Sequence, residues 1–352
     1  MHVSPEGVAR SVYQLVTTKS NEKDAAVAAA DDAWTIEEHF HLLDSSKSFF
    51  LREPHHPANT ITRIDIQEID TRQVGTGGTT WEASMVMALY FARHPDQLQG
   101  NVVELGSGVG LGGIWLHHVT QQQHSLTLTD GCPQVVRQCE TNVLANSSGN
   151  SNLTVMKLDW NQVLRNVQCQ DHGSQSTTSS TNKYNTVLAC DCAYRSRDVP
   201  GLTGTLKALL ISLPEQQQES NSPTLQNQIH LFGPYNRSTY HEVIECLEQD
   251  DSLEVQIECI DMNRYRLEAG KPSTSKNTDS VVDSMFYQHQ RQHHYGYDPY
   301  NDNRSNINLE EELQHASRSC TKFLHVSASF KSAKLKAGQG RRTRSVSLSD
   351  ID

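Results

Sequence analysis

The stretch Val102-Val103-Glu104-Leu105-Gly106-Ser107-Gly108-Val109-Gly110-Leu111-Gly112-Gly113 decides the fold. Its first four residues read as a buried strand, the glycines as a tight turn, and a helical pattern begins at Leu111. Glycine is needed because the backbone has to turn sharply and let a cofactor approach where a Cβ would clash. Outward from this turn, apolar runs and helical patterns alternate. They run from Asn101 to Leu105, a helix from Leu111, Ser125 to Thr129, a helix from Pro133, Leu153 to Leu158, Tyr184 to Cys190, a helix after Pro200, Ile229 to Phe232, and a helix from Ser238. Such alternation predicts a Rossmann-like α/β fold, a mostly parallel, doubly wound sheet of seven strands. Leu253 to Asp261 and Lys322 to Phe330 supply its closing antiparallel hairpin.

Upstream of the turn, Ile64 and Ile66 alternate with polar residues, the mark of a half-buried strand that closes the mouth of the following domain. From Thr80 the period changes: Trp81, Ser84, Met85, Ala88, Leu89 and Ala92 share one helical face, with Thr79 or Thr80 as N-cap and an end near Pro95. Gly7 to Val16 and Ala33 to Leu51 read as two helical patches. The chain therefore divides into a helical extension with linker (1–60), a core (61–268), a polar insertion (269–319), a final strand (320–331) and a tail (332–352). Cys169 to Lys183, Pro214 to Gln228 and Ala269 to Ser319 are polar and long, which predicts mobile insertions, and the Ser-rich tail predicts disorder.

Composition narrows the function. The 352 residues carry 41 acidic and 30 basic side chains, a net charge of -11, which argues against a general nucleic-acid binder because phosphate contact needs basic surface. A hydrophobic share of 36% and a mean hydropathy of -0.58 suit one core with solvated insertions. The eight cysteines lack paired CxxC spacing, no apolar run reaches membrane-spanning length, and no basic-then-apolar leader opens the chain, so cytoplasm or nucleus is expected. In that compartment sequons such as those at Asn146, Asn152 and Asn236 carry no meaning. His55-His56, His117-His118 and His293-His294 have no second ligand set at metal spacing, and no metal site is expected. A monomer is expected. Arg341-Arg342-Thr343-Arg344-Ser345-Val346-Ser347 matches a basophilic kinase site, a string that also arises by chance in polar tails.

Charge beside the turn separates the possible cofactors. A dinucleotide brings pyrophosphate to the helix N-terminus, whereas S-adenosylmethionine (AdoMet) brings an ammonium and a sulfonium. Glu104, just ahead of Gly106, favours the cationic ligand. Asp130 ends the second strand, where a carboxylate can accept from ribose hydroxyls, though it can equally cap the helix near Pro133. Cys190 and Cys192 are too close in an extended segment for a zinc pair and read as packing residues.

Four segments taken together, Trp81-Glu82-Ala83, Glu104 to Gly113, Leu158-Asp159-Trp160 and Asp191-Cys192-Ala193-Tyr194, resemble methyltransferase family 16, the seven-strand AdoMet-dependent protein-lysine methyltransferases. The resemblance covers roughly Ile61 to Arg266. It implies that Gly106, Gly108 and Gly110 wrap the methionine part of AdoMet, that Asp130 holds the ribose, and that Asp159 and Trp160 lie against the adenine. Glu104, Trp81 and Cys190 complete the implied cofactor set. It also implies that Asp191 and Tyr194 receive an acceptor lysine on a protein such as a chaperone or translation factor. Phe232, Pro234, Tyr235 and Arg237 follow the fifth strand and can shape that channel. Methyl transfer to a small molecule, a non-catalytic AdoMet-binding scaffold, and an NAD-dependent oxidoreductase are the competing functions.

Overall fold

A computed structural model describes residues 8–15, 34–41, 46–52, 61–147, 152–170, 184–210, 227–267 and 317–331. In chain order the elements are β1 (Val8–Leu15), β2 (Thr35–His41), β3 (Ser46–Arg52), β4 (Ile61–Gln67), α1 (Thr71–Val74), a 3-10 turn (Gly75–Gly78) and α2 (Glu82–Arg93). There follow β5 (Val102–Leu105), α3 (Leu111–Val119), β6 (Leu126–Asp130), α4 (Pro133–Asn146), β7 (Leu153–Lys157) and α5 (Trp160–Gln170). The last are β8 (Thr186–Cys190), α6 (Val199–Leu209), β9 (Gln228–Pro234), α7 (Ser238–Glu248), β10 (Leu253–Leu267) and β11 (Ser317–Phe330).

Among the described residues the sheet has eleven strands and not the seven expected, in the order β4-β3-β2-β1-β10-β11-β9-β8-β5-β6-β7. Strands β9, β8, β5, β6 and β7 run parallel, and every other neighbouring pair is antiparallel, so the sheet is mixed. The excess comes from the N-terminal region. Both stretches read as helices are strands: β1 pairs with β10, and β2 and β3 continue the sheet outward. Val8, Val12 and Leu15 stand at helical spacing, yet Val12 and Tyr13 are both buried, so both faces of β1 are covered and no alternation survives to betray a strand. The extension is part of the same sheet as the core.

Helix α2 explains why those strands are there. It packs against β8 and β9 and also against β1 and β2, and eight consecutive-region residues from Ala83 to Phe91, all but Ser84, are buried. The single apolar face expected of it was too narrow for a helix covered on several sides. Its N-cap is Trp81 without a side-chain cap bond. Thr79 and Thr80, expected to cap, instead donate their hydroxyls to Glu68 at 2.6 and 2.8 Å, and the Thr80 N–H adds a bond of 2.6 Å. Lys47 reaches Thr80 Oγ1 at 2.7 Å and lies 3.0 Å from Glu68 and 3.3 Å from Glu38, while Glu38 accepts from the Tyr13 hydroxyl at 2.6 Å. This buried network joins β1, β2 and β3 to the start of α2.

Strand β4 behaves as predicted, with Ile64 and Ile66 buried and Asp65 exposed. Its outer edge is not left open. The Asn146 amide accepts from Asp65 N at 2.9 Å and donates to Asp65 O at 2.8 Å, and Asn142 pairs with Gln67 N and O, both at 3.1 Å. Two side chains of α4 thus stand in for a missing strand. The Asn142 Nδ2 also donates to Val109 O in the glycine turn at 2.9 Å, so β4 does close onto that turn. The bulk of the expected insertions and the tail lies outside the described residues; Ser317 to Ser319, assigned to the third insertion, belong to β11.

Candidate functional site

The site lies at the carboxyl ends of β5, β6 and β8, where parallel α/β sheets place their ligands. After β5 the backbone enters the left-handed region three times, with φ of 64° at Gly106, 55° at Gly108 and 95° at Gly110. The glycines do different things. A Cβ at Gly106 would stand 2.6 Å from Cys192 Cβ and 3.3 Å from Trp160 Cζ2, so the segment after β8 and the first residue of α5 press against the bend. A Cβ at Gly108 would meet Gly77 O at 3.0 Å, so the 3-10 turn lies over it. At Gly110 the added atom would strike Cys139 Sγ of α4 at 2.7 Å, so packing against α4 requires a glycine here. The Gly75-Thr-Gly-Gly78 turn was not singled out in the sequence; its glycine density was the available signal.

Asp130 sits at the tip of β6. It accepts from Cys132 N at 2.8 Å and from the backbone N–H groups of Gly108 and Gly131, and burial pushes its carboxyl up. It lies beside Gly77 as well. Asp130 therefore anchors both turns, and the N-cap of α4 is Cys132. Glu104 is 2% exposed, under the N-terminus of α3, where it takes the Gly113 N–H and where a Cβ at Gly112 or Gly113 would touch its oxygens. Among the described residues its Oε2 has no hydrogen-bond partner, and burial pushes its carboxyl up to about 7.

Asp159 is exposed and accepts from Asn161 N at 2.9 Å and Gln162 N at 3.3 Å, capping α5. Trp160 is half-buried, and its indole Nε1 is buried without a hydrogen-bond partner among the described residues. A donor left so beside a glycine bend fits an acceptor on a bound base. Cys190, implied as a cofactor residue, is corrected: its thiol points into the core, 3.2 Å from Met87 Sδ, because the alternation of β8 sends it toward α2.

The segment after β8 is held firmly. Asp191 N donates to Phe232 O at 2.8 Å, and Thr239 Oγ1 of α7 donates to Ala193 O at 2.6 Å. Asp191 has φ of 41°, a left-handed conformation in a non-glycine residue, which costs on the order of 1–3 kcal/mol and tends to be kept at functional sites. Its side chain is paired: Arg237 Nη2 donates to Oδ2 at 2.9 Å and Arg237 Nε lies 2.6 Å from Oδ1. Burial pushes the Asp191 carboxyl up to about 6 against the opposite pull of Arg237. The Arg237 guanidinium also lies 5.2 Å from the centre of the Tyr194 ring, and the Trp81 ring stands 6.3 Å from Tyr194 on a tilt. Trp81 Nε1 donates to Thr76 O at 2.9 Å, and Tyr194 hydrogen-bonds the Thr76 side chain, so the 3-10 turn positions both rings.

Trp81, Tyr194, Asp191 and Arg237 thus form one group. Phe232 is fully buried against Tyr90, Phe91 and His325 and lines nothing; Arg237, only one of several channel candidates in the sequence, is the residue that engages Asp191. Among the described residues no group of three or more His, Cys, Asp or Glu is arranged to hold a metal ion, and no helix is long and apolar enough to cross a membrane.

Residues 59–216 match the model of methyltransferase family 16, described as lysine methyltransferase, the family whose resemblance the four segments carry. No curated protein matches the chain. Solved structures it is similar to include a precorrin 8W decarboxylase from Methanobacterium thermoautotrophicum (12% identity, 70% of this chain and 90% of that one, TM-score 0.38). Others are a precorrin-6y C5,15-methyltransferase from Geobacter metallireducens (11%, 72% and 89%, 0.38) and an O-methyltransferase from Bacillus cereus in complex with SAH (8%, 74% and 86%, 0.38). Likeness of this degree says nothing about what the chain binds.

Proposed function

We propose that this chain transfers a methyl group from AdoMet to a lysine side chain of another protein. The observation that supports it most is that the segment carrying Asp191 and Tyr194 meets the first residue of the bend through Cys192, whose Cβ would stand 2.6 Å from a Cβ on Gly106. AdoMet supplies a methyl carbon activated by a sulfonium. The bend, Asp130 and the unpartnered Trp160 Nε1 fit its methionine, ribose and base in turn. The Trp81 and Tyr194 rings would wall the acceptor's approach and exclude water, and positioning of this kind is the main contribution to a direct displacement. The acceptor nitrogen has to be uncharged, and desolvation between aromatic walls lowers a lysine pKa from its ordinary value of about 10.4. No dedicated base is then required.

The test is incubation of the protein with labelled AdoMet and a cell lysate. Label on lysine in a protein band is expected; label confined to the small-molecule pool would overturn the acceptor. Asp191→Ala is expected to keep AdoMet binding by calorimetry and to lose transfer. Full retained activity in that variant would remove Asp191 from the mechanism.

A further inference from the structure

The two groups that could draw a cation to the acceptor side are already taken by one of the protein's own. Asp191 is 3% exposed and its carboxylate faces the Arg237 fork, at 2.6 and 2.9 Å. The same guanidinium lies at cation–π distance from Tyr194. Arg237 is not a loose surface side chain reaching in by chance. It is the N-cap residue of α7, directly after β9; its carbonyl accepts from Tyr240 N at 3.1 Å, and its own N–H donates to Pro234 O at 3.2 Å. An arginine planted on a strand-to-helix turn, with Nη2 hydrogen-bonded to Asp191 and Nε in ion-pair contact with it, presents a fixed charge.

We propose that Arg237 sets the acceptor site to admit an uncharged amine: by pairing with Asp191 and covering the Tyr194 ring, its guanidinium removes the attraction an ammonium ion would find there and repels the ion itself. This rests on the lysine reading above and deepens it. A lysine bound as ammonium beside a free carboxylate would be held in the form that cannot attack a methyl group, because an opposite charge raises its pKa. A fixed cation nearby does the reverse, one of the ways amine nucleophiles are activated.

The charged residues flanking the site pair with one another, Arg195 with Asp198 at 2.9 Å and Arg264 with Glu82 at 3.0 Å. Cys190 and Cys192 on the β8 side, Tyr194, and Tyr240 from α7 are all pushed up by burial and stay neutral near pH 7. Glu104 from β5 lies under α3, and Asp130 from β6 is tied to three backbone N–H groups. Trp81 and Thr76 carry no charge. Arg237 is the cation that contacts both Asp191 and Tyr194.

The experiment is a pH–rate profile for methyl-lysine formation at saturating AdoMet, with heat-denatured lysate protein as the acceptor pool. It compares the wild type with Arg237→Gln and Arg237→Lys. In Arg237→Gln the acid limb is expected to move up by on the order of one pH unit, a loss of about tenfold near pH 7 that is recovered at high pH. Arg237→Lys keeps the charge without the fork and is expected to keep the wild-type limb at a reduced rate. A limb that stays put in Arg237→Gln, or a loss equal at every pH, overturns the inference and leaves Arg237 a structural clamp. Should Arg237→Gln lose AdoMet binding or its melting transition, Arg237→Lys decides alone, and an upward shift of its limb overturns the inference. Absence of methyl-lysine from the wild type at every pH overturns the proposed function itself.

Discussion

Glu104 carries a carboxyl into the interior with one oxygen unpartnered, and its protonation is coupled to folding. In the unfolded chain a glutamate titrates near about 4.3; in the fold burial pushes Glu104 up to about 7. Between those values the folded protein holds a proton that the unfolded chain has lost, so stability falls as pH rises through that window. Asp191, pushed up to about 6, acts with the same sign. Glu104→Gln is expected to gain stability at pH 8, by roughly 3 kcal/mol, and to gain little at pH 5. Urea unfolding at the two values checks this; equal effects at both would show that Glu104 ionises freely in the fold. At this scale the sequence was legible for residue type and position: Glu104, Gly106, Asp130, Trp160, Asp191 and Tyr194 all gather at the tips of the parallel strands or beside them. It was not legible for pairing. That Arg237 would engage Asp191 depends on how β9 turns into α7, and no local spacing encodes a contact between residues so far apart in the chain.

Among elements, the start of α2 is where the N-terminal strands and the site meet. Lys47 on β3 lies half-buried between Glu38 and Glu68, and the pull of both carboxylates raises its pKa against the opposite effect of burial. Lys47→Met would leave two buried carboxylates without their cation. A loss of about 3–5 kcal/mol is expected, because breaking a buried pair from one side strands the other charge. Chemical denaturation measures it, and a loss under about 1 kcal/mol would mean that water reaches the pair. The strands of the parallel half were readable because each is short, apolar and bounded by turn residues. β1, β2 and β3 were not, since burial on both faces at Val12 and Tyr13 erases the period of two and leaves an accidental helical spacing. α2 misled in a related way: Thr79 and Thr80 are good capping residues by type, and the partner that claims them, Glu68, became visible only with β4 and its following turn in place.

The molecule as a whole is one sheet wrapped about α2 and α3. Its main core runs without a break from Tyr13, Ile36 and Phe49 through Met85 and Leu89 to Leu128 and Leu188. A chain starting at residue 59, where the family match begins, would bare the β10 edge and one flank of α2. It is expected to lack a cooperative melting transition, and a sharp transition close to that of the full chain would show that the first three strands are dispensable. Family resemblance could not have warned of this, because the segments that carry it all lie after Ile61. Asn142 has a wider consequence. Its amide grips Gln67 on the outermost strand and Val109 in the glycine turn at once. The wrapped sheet is thereby fastened like a hoop at the place where a nucleoside would be cradled, and the two halves cannot spread without slackening that cradle. On the proposed function, whatever stiffens the hoop would also tighten the grip on the ligand, so strands that never touch the nucleoside would contribute to its affinity.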